Sequence, residues 1–320
     1  MKFSIITPVY NRADCIERCI KSVINQKHSQ DFGWECEHII VNDGSKDNTD
    51  EIVKEYLKKY SHIVYINFVD NKGTNAARNA AIKNATGDFC IILDSDDFFV
   101  ENALDIICEK IRCAPVYKHY MFAPDDRKDF FDNNKDLNKE KIITFKDFLS
   151  QKYSGDFIHV IRKETMQKYP FDESLRIYEG VFFLKFYKEA QQIYFTNTVV
   201  TIRERGREDS VTKEYIMTQK SSIMNSIKAM EIKLNWYKKD YIELGLTNII
   251  NSIYIRLMNN YLLIGDYKRS RDIIKRSKED NLTLPFYIKL IHYLRLGGVF
   301  RFLLFTSLKF KYNIVKSKVK

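Results

Sequence analysis

No stretch of this chain reaches the run of about 18 apolar residues that a bilayer-spanning helix requires, so no membrane span is expected. The chain enters at once the strand-like Phe3-Ser4-Ile5-Ile6, with no charged leader and apolar segment ahead of it, and a protein made and kept in the cytosol is expected. Its six cysteines, Cys15, Cys19, Cys36, Cys90, Cys108 and Cys113, all lie in the first third without a Cys-x-x-Cys pair. That argues against a zinc site. Several sit where a helix or strand interior is expected, and they read as reduced, core-filling thiols. No internal repeat is strong enough for a solenoid.

The 320 residues suffice for two domains, or one with an extension. A chain that is 45% hydrophobic and 29% charged is an ordinary globular one, which excludes wholesale disorder. The net charge of +10 suits a partner bearing phosphates: a nucleotide, a nucleic acid or an anionic membrane face. Basic residues are mixed with acidic ones everywhere but the tail, which speaks against nucleic acid.

From Lys2 to about Cys113 short apolar runs alternate with amphipathic stretches, the pattern of βαβ units and a mainly parallel sheet. Strands are expected at Phe3–Thr7, His38–Val41, Ile63–Phe68 and Phe89–Leu93. Helical spacing joins Ile16, Cys19, Ile20, Val23 and Ile24, and again Ile52, Val53, Tyr56 and Leu57. Residues 124–141, rich in Asp, Lys and Asn, read as a solvated excursion, after which Phe157–Ile161 and Ile193–Ile202 complete the sheet. Beyond Asp209 the chain turns to long amphipathic helices, with turns at Gly265-Asp266 and before Pro285. The segment 297–320 is basic without an acidic residue and rich in Phe and Leu, fitting an interfacial helix on an anionic leaflet. The other reading of that segment is a solvated tail whose apolar residues cover the helices before it.

The apolar run Phe89–Leu93 ends in Asp94-Ser95-Asp96-Asp97. Clustered carboxylates at the carboxyl edge of a sheet repel one another unless a cation sits among them, and hard oxygen ligands suit Mg²⁺ or Mn²⁺ beside substrate phosphates. The alternative is a helix cap by Asp94 or Asp96 for a helix beginning near Glu101. Pro8 is expected to stop the first strand and expose Tyr10 and Asn11 at the sheet edge. Asp43-Gly44-Ser45 makes a tight turn, with Asp47 or Asn48 free to cap the next helix. Arg78 and Asn79 follow Gly73 at the start of a helix, placing a guanidinium near that edge. His159, in a strand-like run, reads as a buried, hydrogen-bonded histidine rather than a catalytic one.

Four motifs in order, each at a strand end, resemble inverting glycosyltransferases of family 2. They are Ser4-Ile5-Ile6-Thr7-Pro8-Val9-Tyr10-Asn11; Ile40-Val41-Asn42-Asp43-Gly44-Ser45-Lys46-Asp47-Asn48-Thr49; Asn71-Lys72-Gly73-Thr74-Asn75-Ala76-Ala77-Arg78-Asn79; and Leu93-Asp94-Ser95-Asp96-Asp97. The resemblance covers the first third well and 155–212 more loosely. It implies a GT-A fold, an α/β Rossmann-like, mainly parallel sheet flanked by helices, with a C-terminal α-helical extension. The resemblance implies nucleotide-sugar binding by Pro8, Tyr10, Asn11, Asp43, Gly73, Arg78, Asp94, Ser95, Asp96 and Arg205. Within that set Asp43 accepts the uracil imide N–H, Arg78 grips the diphosphate and Asp94 touches sugar or ribose. Asp96 and Asp97 match the metal pair, and the three arginines of 203–207 match a loop over the donor phosphates.

Family members also carry a Glu-Asp pair after a segment like Phe171-Asp172-Glu173-Ser174-Leu175. Here Glu179 is followed by Gly180, so Glu179 is the catalytic-base candidate and a catalytically altered site is the alternative. The expected activity is metal-dependent inverting transfer from a UDP-sugar to a lipid-linked or polysaccharide acceptor, as in bacterial capsule, exopolysaccharide or O-antigen assembly. A peripheral position at the inner face of the plasma membrane goes with it. The competing reading is a nucleotide-sugar or glycan-binding protein without turnover. The expected organisation is a GT-A domain over 1–212, with a donor half 1–113 and an acceptor half 142–212, then a helical region 213–320 ending in the basic tail.

Overall fold

A computed structural model describes residues 1–26, 33–133, 135–153, 157–175, 178, 180–204, 220–304 and 306. The chain divides into two compact units, Met1–Arg207 and Glu208–Lys320.

In the first unit β1 (Lys2–Val9), β2 (Glu35–Asn42), β3 (Ile63–Asn67) and β4 (Phe89–Ile92) run parallel in the order β3-β2-β1-β4. From Phe3 to Val9 every residue of β1 is buried, as expected of a central strand covered on both faces. The connecting helices are α1 (Ile16–Ile24), α2 (Thr49–Leu57) and α3 (Thr74–Asn84). The stripe Ile16, Cys19, Ile20 and Val23 of α1 is buried, so its helical spacing is the spacing of a core face.

The strand does not stop at Pro8, which pairs in register with Val41 while β1 continues to Val9. Pro8 is tolerated because its nitrogen faces the β4 side. There Leu93 N donates to Ile6 O at 3.0 Å, so the next ladder donor would be residue 8. The Thr7 hydroxyl takes over, donating to Leu93 O at 2.9 Å. Its single proton is thereby used, so at 2.9 Å from His38 Nε2 it accepts, which fixes the His38 tautomer.

The remaining elements are β5 (Phe98–Phe99), α4 (Ala103–Cys113), β6 (His119–Pro124), a 3-10 turn Asp125–Arg127, α5 (Lys128–Asn133), β7 (Lys141–Thr144), α6 (Phe145–Leu149), β8 (Ile158–Arg162), α7 (Lys163–Lys168), α8 (Gly180–Ala190) and β9 (Gln192–Ile202). They extend one nine-stranded sheet in the order β3-β2-β1-β4-β8-β6-β9-β5, with β7 also on β9. β8 is antiparallel to both β4 and β6, while β6 and β9 are parallel, so the sheet is parallel in its first half and mixed as a whole. The excursion expected at 124–141 contains α5, although most of its described residues are exposed. Cys15, Cys19, Cys90 and Cys108 are buried, and all six cysteines are free thiols.

The second unit contains α9 (Lys220–Glu243), α10 (Thr247–Leu263), α11 (Tyr267–Glu279) and α12 (Phe286–Tyr293). Its core joins Leu234, Tyr237 and Tyr241 to Tyr254, Leu257, Met258 and Leu262. The turn at Gly265-Asp266 is present, with the Asp266 carboxylate accepting Arg269 N at 3.0 Å as the N-cap of α11. No described helix is long and apolar enough to cross a membrane.

Candidate active site

Because β1 to β4 are parallel, the loops following them gather at one edge, the edge at which open α/β sheets bind ligands. After β1, Tyr10 is exposed and Asn11 adopts φ of 50°. Asn11 N donates to Ser45 Oγ at 2.9 Å, and its Oδ1 accepts Lys46 N at 2.7 Å. Asn11 therefore binds the loop after β2. That loop is pressed in turn against the one after β3: a Cβ on Gly44, at φ of +72°, would lie 2.6 Å from Asp70 C.

Asp43 is 3% exposed. Its two oxygens accept Lys72 N at 2.6 Å and Gly73 N at 2.9 Å, so its carboxylate shapes the loop that leads into α3. Each oxygen has a further lone pair, which leaves Asp43 able to accept from a ligand as well. Gly73, with φ of 95°, is the N-cap residue of α3.

On α3, Arg78 Nη2 lies 3.2 Å from Asp94 Oδ1, and the guanidinium sits 5.7 Å from the Phe171 ring centre. The Asp94 side chain remains 49% exposed, open to a ligand at the edge. Two asparagines on the same helix hold the segment 171–175 that sequence reasoning linked to the base. Asn75 Nδ2 donates to the carbonyls of Asp172 (3.1 Å) and Leu175 (2.8 Å). Asn79 donates to Phe171 O at 2.9 Å and accepts Phe171 N at 2.8 Å. Sequence reasoning gave neither residue a role. Their signal was two amides four apart, on one helix face, flanking the arginine.

The acidic cluster caps no helix: α4 starts after Asn102, with β5 between it and Asp97. Asp97 is driven up to about 7 by burial first and then by the negative charges of Asp94 and Asp96. Arg203 Nε at 3.8 Å and Glu204 N at 3.3 Å oppose the rise. Ser95 is buried, and the Cys15 thiol donates to its carbonyl at 3.7 Å. Arg18, also missed in the sequence, donates to Asp96 O at 2.9 Å, pairs with Glu204 and stacks 4.5 Å from the Phe98 ring centre. The structure thus brings Pro8, Tyr10, Asn11, Asp43, Gly73, Arg78, Asp94, Ser95, Asp96 and Asp97 to one edge. Glu179 and Arg205 lie outside the described residues.

Among the described residues no three His, Cys, Asp or Glu side chains converge as a metal-holding set. A hard divalent ion nevertheless fits the cluster, because like-charged carboxylates close enough to raise Asp97 are relieved by a cation, and one or two suffice when phosphates complete the coordination. The Asp94 side chain is 49% exposed and that of Asp97 13%, so Asp94 is the more open of these two carboxylates. A cleft of about 570 Å³ lined by Met1, Lys2, Gly33, Trp34, Glu35 and Asp88 lies at the opposite, amino-terminal edge of the strands. His159 is half-buried and hydrogen-bonded, its Nδ1 2.9 Å from His119 Nε2.

Comparison with known proteins places this edge in a family. The family model described as Glycosyl transferase family 2 matches residues 4–169, just over half of the chain. The chain is 31% identical over 214 residues to the GalNAc(5)-diNAcBac-PP-undecaprenol beta-1,3-glucosyltransferase of Campylobacter jejuni subsp. jejuni, covering 66% of this chain and 67% of that protein. It is 41% identical over 105 residues to the poly(ribitol-phosphate) beta-glucosyltransferase of Bacillus spizizenii, covering 32% of this chain but only 16% of that longer protein. The crystal structure of S. aureus TarS 1-349 in complex with UDP-GlcNAc superposes with a TM-score of 0.61 at 16% identity, covering 89% of this chain and 93% of that one. The fold is therefore GT-A, and the protein belongs to glycosyltransferase family 2.

Proposed function

We propose that this glycosyltransferase moves a sugar from a UDP-sugar onto a lipid-linked or polysaccharide acceptor, with inversion at the anomeric carbon. The observation that carries the reading is the placement of Arg78 against Asp94 beside Asp96 and Asp97, at the carboxyl edge of four parallel strands. The UDP-GlcNAc bound to the similar TarS fold and the names of the two relatives support the choice of donor and acceptor.

In this reading Asp43 receives the uracil imide, with Tyr10 and Asn11 bordering the nucleoside. Arg78 turns its fork from Asp94 to the diphosphate, and Asp94 becomes free for ribose or sugar hydroxyls. Asp96, with Asp97 or Asp94, would hold Mn²⁺ or Mg²⁺, which as a Lewis acid neutralises charge on the departing diphosphate. Glu179 takes the acceptor hydroxyl's proton while that oxygen bonds to the anomeric carbon and the bond to the diphosphate breaks on the opposite face. Arg205 adds positive charge near the phosphates. The domain organisation follows as donor half 1–113, acceptor half 142–212 and helical region 213–320. A lipid-side acceptor would bring the protein to the inner face of the plasma membrane, in capsule, exopolysaccharide or O-antigen assembly. A binding protein without turnover is the second reading, favoured by Gly180 where the family's aspartate stands.

A donor screen by thermal stabilisation in Mn²⁺ tests the assignment. UDP-sugars are expected to raise the melting temperature in proportion to the logarithm of their concentration, ahead of GDP- and CDP-sugars. Stabilisation by none of them, or by another nucleotide alone, contradicts the donor assignment.

A further inference from the structure

Among the described residues sixteen large hydrophobic side chains are exposed, and nine of them fall within 286–303. The rest are scattered singly, which is normal, so the concentration here marks an interaction face. The helical geometry explains it. In α12 Ile288 and His292 turn inward, while Phe286, Tyr287, Leu290, Tyr293 and Leu294 follow the i, i+3, i+4, i+7 spacing of one outward stripe. The helical stretch 297–304 repeats the arrangement with Phe302, which is 69% exposed.

This face is built on the helices of the second unit. The Tyr267 hydroxyl donates to Arg295 O at 2.8 Å and accepts Gly297 N at 3.0 Å. Gly297 approaches α10 so closely that a Cβ would lie 2.4 Å from Leu262 O. The charge is one-sided: Asp280 is the last acidic residue, and the 40 residues after it contain eight Lys or Arg, with Lys289, Arg295 and Arg301 among the exposed apolar groups. A second copy of the same face would bring like charges together. Aromatic and basic side chains mixed on one helical face match the headgroup region of an anionic bilayer.

We propose that α12 and the helical stretch 297–304 form a docking surface for an anionic lipid leaflet, with Phe286, Tyr287 and Phe302 entering the headgroup region. The sequence pointed to the tail alone; the structure adds α12 and makes it the start of the surface. The proposal gives a lipid-side acceptor its meeting place, yet its test needs neither donor nor acceptor.

The full chain is sedimented with vesicles of phosphatidylcholine alone or mixed with about half phosphatidylglycerol. Binding is expected only to the mixed vesicles, and it should weaken as salt rises from about 0.1 M to about 0.5 M. The variant Phe286→Asp/Tyr287→Asp/Phe302→Asp is expected to lower the partition coefficient about tenfold or more. Lys289→Gln/Arg295→Gln/Arg301→Gln should flatten the salt dependence. Unchanged circular dichroism and an unchanged melting temperature would show that both variants fold. The proposal is overturned if mixed vesicles bind no protein, if the aspartate variant binds them like the parent, or if it abolishes self-association instead.

Discussion

Arg78 Nη2 stands 3.2 Å from Asp94 Oδ1, joining the helix after β3 to the loop after β4 across the carboxyl edge of the sheet. Such an arginine, buffered by one carboxylate and stacked near Phe171, is held ready to exchange partners when a diphosphate arrives. Arg78→Ala is expected to weaken UDP binding by about 10- to 150-fold, the equivalent of about 1.5–3 kcal/mol for charge-assisted hydrogen bonds. Arg78→Lys should recover only part of this, because a lysine lacks the fork. Calorimetry with UDP reads the change, and unaltered affinity in the alanine variant removes Arg78 from the donor site.

The asparagine pair makes a different prediction. Asn79 exchanges hydrogen bonds in both directions with the backbone of Phe171, and Asn75 holds the carbonyls of Asp172 and Leu175. Asn79→Ala leaves a backbone donor and acceptor without their partner and should destabilise the first unit by about 1–3 kcal/mol. If the pair positions the segment leading to Glu179, turnover falls while the KM for the donor stays nearly constant. A KM rise without loss of kcat would assign Asn79 to donor binding instead.

Gly180 opens α8, and a Cβ built there meets nothing within 4 Å. Gly180→Asp should therefore be accommodated without strain and gain about 0.3–1 kcal/mol from a negative charge in the first turn of a helix. Urea unfolding measures that gain. Activity separates the two functional readings: with Glu179 as the base, the parent already turns over and the variant changes kcat little. A silent parent that gains transfer through Gly180→Asp would identify the parent as a binding protein.

Stability should also fall with acid. His38 and His159 are depressed from 6.5 to about 3, and His119 well below its ordinary value, in each case chiefly by burial. Charge from His62 adds to the effect on His38, from Arg203 on His159, and from His159 on His119. The folded state keeps these rings neutral, whereas the unfolded chain takes up protons below about 6.5. The stabilising contribution is thus complete above that pH and declines toward the folded values, by about 1.4 kcal/mol per histidine for each pH unit. Urea midpoints between pH 7.5 and 5.5 test this, and a flat profile contradicts it.

The strands of the first half were legible because each carries a short apolar run, Ile5-Ile6 in β1, Ile39-Ile40-Val41 in β2 and Phe89–Ile92 in β4, and the site loops because each begins just after such a run ends. Pro8 misled because the rule that proline ends strands assumes a neighbour demanding its N–H. Here Thr7 supplies the missing donor through its side chain. The reversal of β8 between β4 and β6 left no mark in the sequence, since buried parallel and antiparallel strands have the same composition. Arg18, Asn75 and Asn79 were illegible as site builders because each bonds a backbone atom 78 to 100 residues away. The outward stripe of α12 was hidden by its brevity, the eight residues Phe286–Tyr293 giving little periodicity to read.

The most direct measurement is release of nucleoside diphosphate from a UDP-sugar with and without Mn²⁺, in the parent and in Asp96→Ala. The account predicts release that chelation abolishes and Mn²⁺ restores, with Asp96→Ala slower by about 10²-fold or more. Equal release by Asp96→Ala, or a parent that neither binds nor cleaves any nucleotide sugar, would contradict it.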